Sequence, residues 1–196
     1  TTNSWLNTPT WVRLWKEVAA DPRTAARAWT VKVDPDAVVL AGRLRSHLAA
    51  FDASLLLYVR NADCFGAEFH FLGAVEVLSL PALRAYTAGI QLCYHELPWA
   101  GWSEDYFAEH CLDLLGVGSV EDLFLVSDKS CHRADHGCTD QRWAAYHPLK
   151  STWDQHVCIA QGLAAGRRLG PGGEAAPLRR PRGARAKRAG PAGEGR

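Results

Sequence analysis

The 196 residues include no methionine, even at position 1, and the chain opens directly on "TTNSWLNTPTWVRLW". The expectation is a fragment or a processed product with more chain upstream. No run approaches the roughly 18–20 consecutive apolar residues that a membrane span needs, and no signal peptide opens the sequence. Any targeting segment or anchor is therefore expected upstream. There is no C-x-x-C pair, which argues against a thiolate zinc module, and no internal repeat. The cysteines that are present, Cys64, Cys93, Cys111, Cys131, Cys138 and Cys158, stand singly along the chain. An even number spread this way suits disulfides in an oxidising compartment. Their pairing is left open by the sequence.

The formal net charge of +1 conceals two opposite parts. Residues 164–196 carry nine Lys/Arg against Glu174 and Glu194, which leaves the body at −6. That tail is rich in Gly, Pro, Ala and Arg with almost nothing apolar to bury, and it reads as a disordered, solvated appendage. No nucleic-acid partner is assigned to it. Residues 1–163 read as one domain of ordinary size.

Along that domain, Trp11, Leu14, Trp15 and Val18 recur at helical spacing, and Asp21-Pro22 marks the stop. Trp29, Val31 and Val33 alternate with Thr30 and Lys32, predicting a half-buried strand that ends at Asp34. "PDAVVLAGRLRSHLAAF" reads as a helix entered at a proline, although its Val-Val-Leu start is a poor helix former. "SLLLYV" (54–59) reads as a buried strand. "AEFHFLGAVEVLSLPALRAYTAG" gives one or two strands and then a short helix with Pro81 in its first turn and Gly89 as its stop. "SEDYFAEHCLDLLGVG" is the cleanest helix, with Ser103 as cap and Phe107, Cys111, Leu114 and Leu115 as its buried stripe. "DLFLV" (122–126) and "RWAAYH" read as strands, "CHRADHGC" as a loop, and 151–163 as a closing helix. Strands and helices intermix, so the fold class is α/β.

Four groups of residues could carry chemistry. Asp34 and Asp36 flank Pro35; in an extended backbone both carboxylates share a side and could grip one hard cation. Asp as N-cap, Pro at N1 and an acid in the first turn is also an ordinary helix start, which the motif alone favours. Glu104 and Asp105 open the cleanest helix behind a loop bearing Trp99 and Trp102. A shielded carboxylate there could serve as a general base and the tryptophans as a sugar platform, or the acids could simply complement the helix dipole. His147 could complete a site begun by two carboxylates, or be an ordinary hydrogen-bonded histidine. Cys131, His132, His136 and Cys138 could hold zinc, but their spacing is not a usual one, and a Cys131–Cys138 disulfide is preferred.

The order of these pieces is more specific than any one of them. "WTVKVDPDAVVL", "RLRSHL", "FLGAVEVLSLPAL" (71–83), a cysteine, "SEDYFAEHCLDLLGV" and "AAYHPLK" follow one another as in inverting glycosyltransferases of the GT-A fold. Over about residues 28–150 the chain resembles the β-1,3-glycosyltransferases that include fringe and the core 1 galactosyltransferase. The resemblance implies a GT-A-like mixed sheet flanked by helices, with Asp34 and Asp36 as the acids of a D-x-D motif and His147 as a third ligand to Mn²⁺. It also implies Asp105 as catalytic base with Glu104 beside it, a Cys93–Cys111 disulfide, a UDP-sugar donor, and a glycan or glycoprotein acceptor. Trp99 and Trp102 are placed at the sugar by loop position only. The implied location is the Golgi or ER lumen, or outside the cell. The chain departs from the family in reading D-P-D, "EDY" and "YHP". The family's uridine-holding strands, which precede the D-x-D motif, are largely absent, so the expected fold is incomplete at its N-terminus.

Overall fold

The computed structural model describes residues 7–64, 66, 69–131 and 137–167. Of the tail read as disordered from residue 164, residues 164–167 instead belong to the last helix, while residues 168–196, with His132 and His136, lie outside the described residues. Within them the chain is α/β, with two mixed sheets and five helices.

Helix α1 (Thr8–Ala20) stops at Asp21 as its sequence predicts, but Leu14 faces solvent while Val12 and Trp15 are buried. Strand β1 (Trp29–Val33) follows, then a two-residue strand β2 (Val38–Val39) and helix α2 (Ala41–Leu48). The predicted helix from Pro35 is thus corrected: Val38 and Val39 pair as strand, Leu40 is the N-cap, and the helix begins only at Ala41. Strand β3 is Leu57–Arg60, while Leu55 and Leu56 before it are exposed. Strand β4 (Val75–Ser79) runs straight into α3 (Leu80–Glu96), where the Ser79 side chain accepts the Ala82 N–H as N-cap.

Helix α3 does not stop at Gly89. A β-carbon there would lie 2.3 Å from Leu115 Cδ2, so this glycine permits close approach of the chain after α4 and is not a terminator. Helix α4 (Glu104–Leu114) ends at Gly116, whose φ of 73° suits the turn that lets Val117 N–H reach Leu112 O. Its buried face carries Glu104, Phe107, Ala108, Cys111 and Leu112, whereas Leu114 is exposed. Strand β5 (Gly118–Glu121), unpredicted, precedes β6 (Val126–Asp128). Strand β7 (Ala145–His147) and helix α5 (Thr152–Arg167) complete the described chain.

The first sheet has the order β1-β4-β3-β5, with β3 and β5 parallel and the other pairs antiparallel. The second has the order β2-β7-β6, with β6 and β7 parallel. Central strand β4 is buried along its whole length. Leu78 joins Val12, Trp15, Leu83, Ile90, Phe107 and Leu112 in a core beneath α1, α3 and α4. Val75 and Val77, on the opposite face of the strand, pack with Leu48, Leu125, Val126 and Ala145 in a second core between the two sheets. A third group, including Val38, Leu40, Trp143 and Tyr146, lies on the α5 side of the second sheet.

Three disulfides link Cys64 to Cys131, Cys93 to Cys111, and Cys138 to Cys158. The Cys131–Cys138 bond preferred from the loop spacing is therefore incorrect: each of those cysteines meets a partner distant in sequence. The same pairing leaves neither Cys131 nor Cys138 as a thiolate for zinc. Three disulfides suit an oxidising extracellular or secretory environment. Among the described residues no helix is long and apolar enough to cross a membrane.

Candidate metal and catalytic site

The chain crosses from the first sheet to the second through Asp34-Pro35-Asp36. Ala37 N–H donates to Asp34 O at 3.0 Å, closing a tight turn with proline at its second position. This turn starts no helix, so the ordinary helix-start reading of the two aspartates falls. They are also not extended, as the same-side argument assumed; the turn itself gathers them. Asp34 N–H donates to Ala74 O at 3.1 Å, Leu149 N–H to Asp36 O at 2.7 Å, and the Gln155 amide to Pro35 O at 3.0 Å. The turn is thereby stitched to β4's entry on one side and to the β7–α5 connection on the other.

His147, the last residue of β7, is brought to this turn. One ligand atom each from Asp34, Asp36 and His147 lie within 4.8 Å of one another, all three residues being half-buried. His147 Nε2 stands 3.3 Å from Asp36 Oδ1, and its Nδ1 faces the buried Asp128 carboxylate. Burial lowers the affinity of the His147 ring for a proton, but Asp128, Asp36 and Asp34 outweigh it and hold its pKa above the ordinary value. Burial acts to raise Asp36, yet Lys150 and His147 keep its carboxyl below the usual range.

Two carboxylates and an imidazole form a hard oxygen and nitrogen donor set, which fits Mn²⁺ or Mg²⁺ better than a soft ion. Both carboxylates also contact lysines, and neither contact bars a cation. Lys150, at Asp36, is largely exposed and free to swing away. Lys32 is buried, and its three N–H groups are matched by Gly73 O at 2.7 Å, Glu76 Oε1 at 3.1 Å and Glu104 Oε1. The Asp34 contact, 2.9 Å from Nζ, comes on top of those three hydrogen bonds. Asp34 can therefore be released without leaving a Lys32 donor unmatched.

Lys32 also joins the metal turn to the acids of α4. The strand alternation points it away from the core that Trp29 and Val31 share, and it lands beneath α4, with the Trp11 ring 4.4 Å from its ammonium. Its neighbour across β1 and β4 is Glu76, which is fully buried. Burial, followed by the charge of Glu104, pushes the Glu76 carboxyl well above the usual range, and burial raises Glu104 as well against the pull of Lys32. Burial would lower Lys32, but Glu76, Glu104 and Asp34 more than reverse that and keep it charged.

Glu104 and Asp105, adjacent in sequence, thus have different surroundings. Glu104 is buried on the Lys32 ammonium. Asp105 is half-buried, with Oδ2 accepting Gly73 N–H at 3.0 Å and Oδ1 accepting Tyr106 N–H at 2.8 Å. Gly73 makes this approach a close one: an added β-carbon would lie 3.0 Å from Asp105 Oδ2 and 3.1 Å from Glu104 Oε1, so both carboxylates would have to give way.

The two loop tryptophans are partly committed to packing. Trp99 lies against Tyr94 and Phe107, with ring centroids 4.9 and 6.0 Å away. Trp102 meets Tyr106 and His110 edge-on along α4. Sequence reasoning missed Lys32, Gly73, Glu76 and Asp128. The alternation of β1 placed Lys32 on the solvent side, and nothing in "VSD" distinguishes Asp128 from a turn residue. A scan against protein-family models finds no match, and a search of curated proteins finds none either.

Proposed function

We propose that this domain transfers a hexose from a UDP-sugar to a hydroxyl group of a glycan or glycoprotein, with inversion, on a GT-A-like scaffold of the β-1,3-glycosyltransferase type. The observation that carries the reading is that one buried ammonium, Lys32, contacts both Asp34 of the metal turn and Glu104 of the helix that presents Asp105. This link between two acid motifs far apart in sequence supports reading them as one site. Asp34, Asp36 and His147 would hold the divalent ion, which when bound offsets charge building on the departing UDP.

Asp105 is the proposed base. The two backbone N–H groups fix its carboxylate while leaving lone pairs to accept a proton. The acceptor hydroxyl oxygen forms the new bond to the anomeric carbon, its proton passes to Asp105, and the bond to UDP breaks with the electron pair leaving on the phosphate. Glu104, buried on Lys32, would position the first turn of α4. Trp102, at the mouth of that helix, and Trp99 remain the proposed sugar-facing aromatics. The compartment proposed is the Golgi or ER lumen.

The lysines on Asp34 and Asp36 favour one rival reading, a non-catalytic carbohydrate-binding or interaction domain in which ammonium groups replace the metal. Turnover separates the two. With Mn²⁺ and a panel of UDP-sugars, the oxidised protein should release UDP, and Asp105→Asn should slow that release by about 10²-fold or more with UDP binding retained. Full release activity in Asp105→Asn would refute the base assignment. Sugar binding without any UDP release would favour the rival.

A further inference from the structure

We propose that Asp128 is a positioning residue for the metal centre, fixing His147 so that Nδ1 carries the proton and Nε2 is the atom offered to a cation. The inference rests on the reading of Asp34, Asp36 and His147 as that centre. Strands β6 and β7 are parallel neighbours, and their register sets Asp128 directly opposite His147. Asp128 is 1% exposed, and its Oδ2 contacts His147 Nδ1. Its Oδ1 accepts Ser130 N–H at 2.7 Å, which holds the carboxylate plane in place. The backbone adds a further tie, because Lys129 N–H donates to His147 O at 3.1 Å.

A carboxylate accepts hydrogen bonds and donates none, and Asp128 lies closer to Nδ1 than Asp36 does to Nε2, so the single proton of the neutral ring belongs on Nδ1. In the neutral ring the lone pair then lies on Nε2, the nitrogen 3.3 Å from Asp36 Oδ1. Either a proton on Nε2, as in the imidazolium, or a cation can bridge these two atoms, and the turn brings Asp34 to the same spot. A buried carboxylate behind an imidazole also raises its strength as a ligand, and loss of such a partner typically costs about 10–100-fold in metal affinity. Asp128 therefore sets both which nitrogen binds and how tightly.

The test measures Mn²⁺ affinity by calorimetry, without nucleotide, and reads the His147 tautomer by nitrogen NMR of the metal-free protein at a pH where the ring is neutral. Wild type, Asp128→Asn and Asp128→Ala are compared. The Nδ1–H tautomer is expected in wild type. Asp128→Ala should bind Mn²⁺ about 10–100-fold more weakly. Asp128→Asn, which keeps an acceptor oxygen but not the charge, should retain the tautomer and lose less affinity. An Nε2–H tautomer in wild type overturns the proposal on its own. So does wild-type Mn²⁺ affinity in Asp128→Ala. Absence of Mn²⁺ binding in wild type would instead remove the metal reading on which the proposal stands, and would overturn it on that ground.

Discussion

At the scale of single residues, the site is governed by several carboxyl groups gathered around one buried cation. Lys32 is surrounded by Asp34, Glu76 and Glu104, and the buried strand position of Glu76 makes its ionised form the most costly of the three. Its Oε2 meets no donor. Because its folded-state pKa lies above its unfolded value, Glu76 contributes fully to stability below about pH 4.5, the ordinary value. That contribution is lost as pH rises toward the folded-state pKa. Glu76→Gln should therefore be more stable than wild type at pH 8, by several degrees in melting temperature, with the advantage shrinking toward pH 5. An advantage that is constant across this range, or that grows toward acid, would contradict the description of the cluster. The grouping of Asp34, Asp36 and His147 is anticipated by the family resemblance and not by the motifs themselves, which alone favour a helix start and an ordinary hydrogen-bonded histidine. Lys32 and Glu76 are not anticipated at all, since a strand with one face under a helix layer hides a charge pair behind ordinary alternation.

At the scale of elements, the informative corrections concern where regular structure begins and ends. Pro35 and two acids imitate a helix start, yet the β-branched Val38 and Val39 are strand-forming and pair with β7, so α2 begins six residues beyond Pro35. Gly89 imitates a helix cap, since a glycine near a helix end usually acts as one, whereas this glycine makes room for Leu115 and α3 runs on to Glu96. A contact so distant in sequence leaves no local trace. Gly73 is a second glycine of that kind, lying where the connection into β4 passes the first turn of α4. Gly73→Ala would push its β-carbon against Asp105 and Glu104. The expected result is Mn²⁺-dependent UDP binding near the wild-type level with UDP-sugar turnover reduced on the order of tenfold or more. Unchanged turnover in that variant would mean that the Gly73 contact does not set the position of Asp105.

At the scale of the whole molecule, the α/β class followed from the mixture of periods, but the division into two sheets did not. That division depends on β2, β6 and β7 being only two or three residues long, too short for a period to show. Disulfide formation was legible from six isolated cysteines. The connectivity was not, because the links Cys64–Cys131 and Cys138–Cys158 join segments that only the fold brings together. The same is true of the site: the turn between the sheets meets the end of β7 at Asp36 and His147, and Lys32 links that turn to the start of α4. The central claim is that this meeting point binds a nucleotide diphosphate through a metal. Its most direct test is calorimetric titration of UDP into the oxidised protein, with and without Mn²⁺, beside the Asp34→Ala/Asp36→Ala variant. The account predicts binding that requires Mn²⁺ and disappears in the variant. Failure of the folded wild-type protein to bind UDP with Mn²⁺ present, or equal binding by the variant, would contradict it.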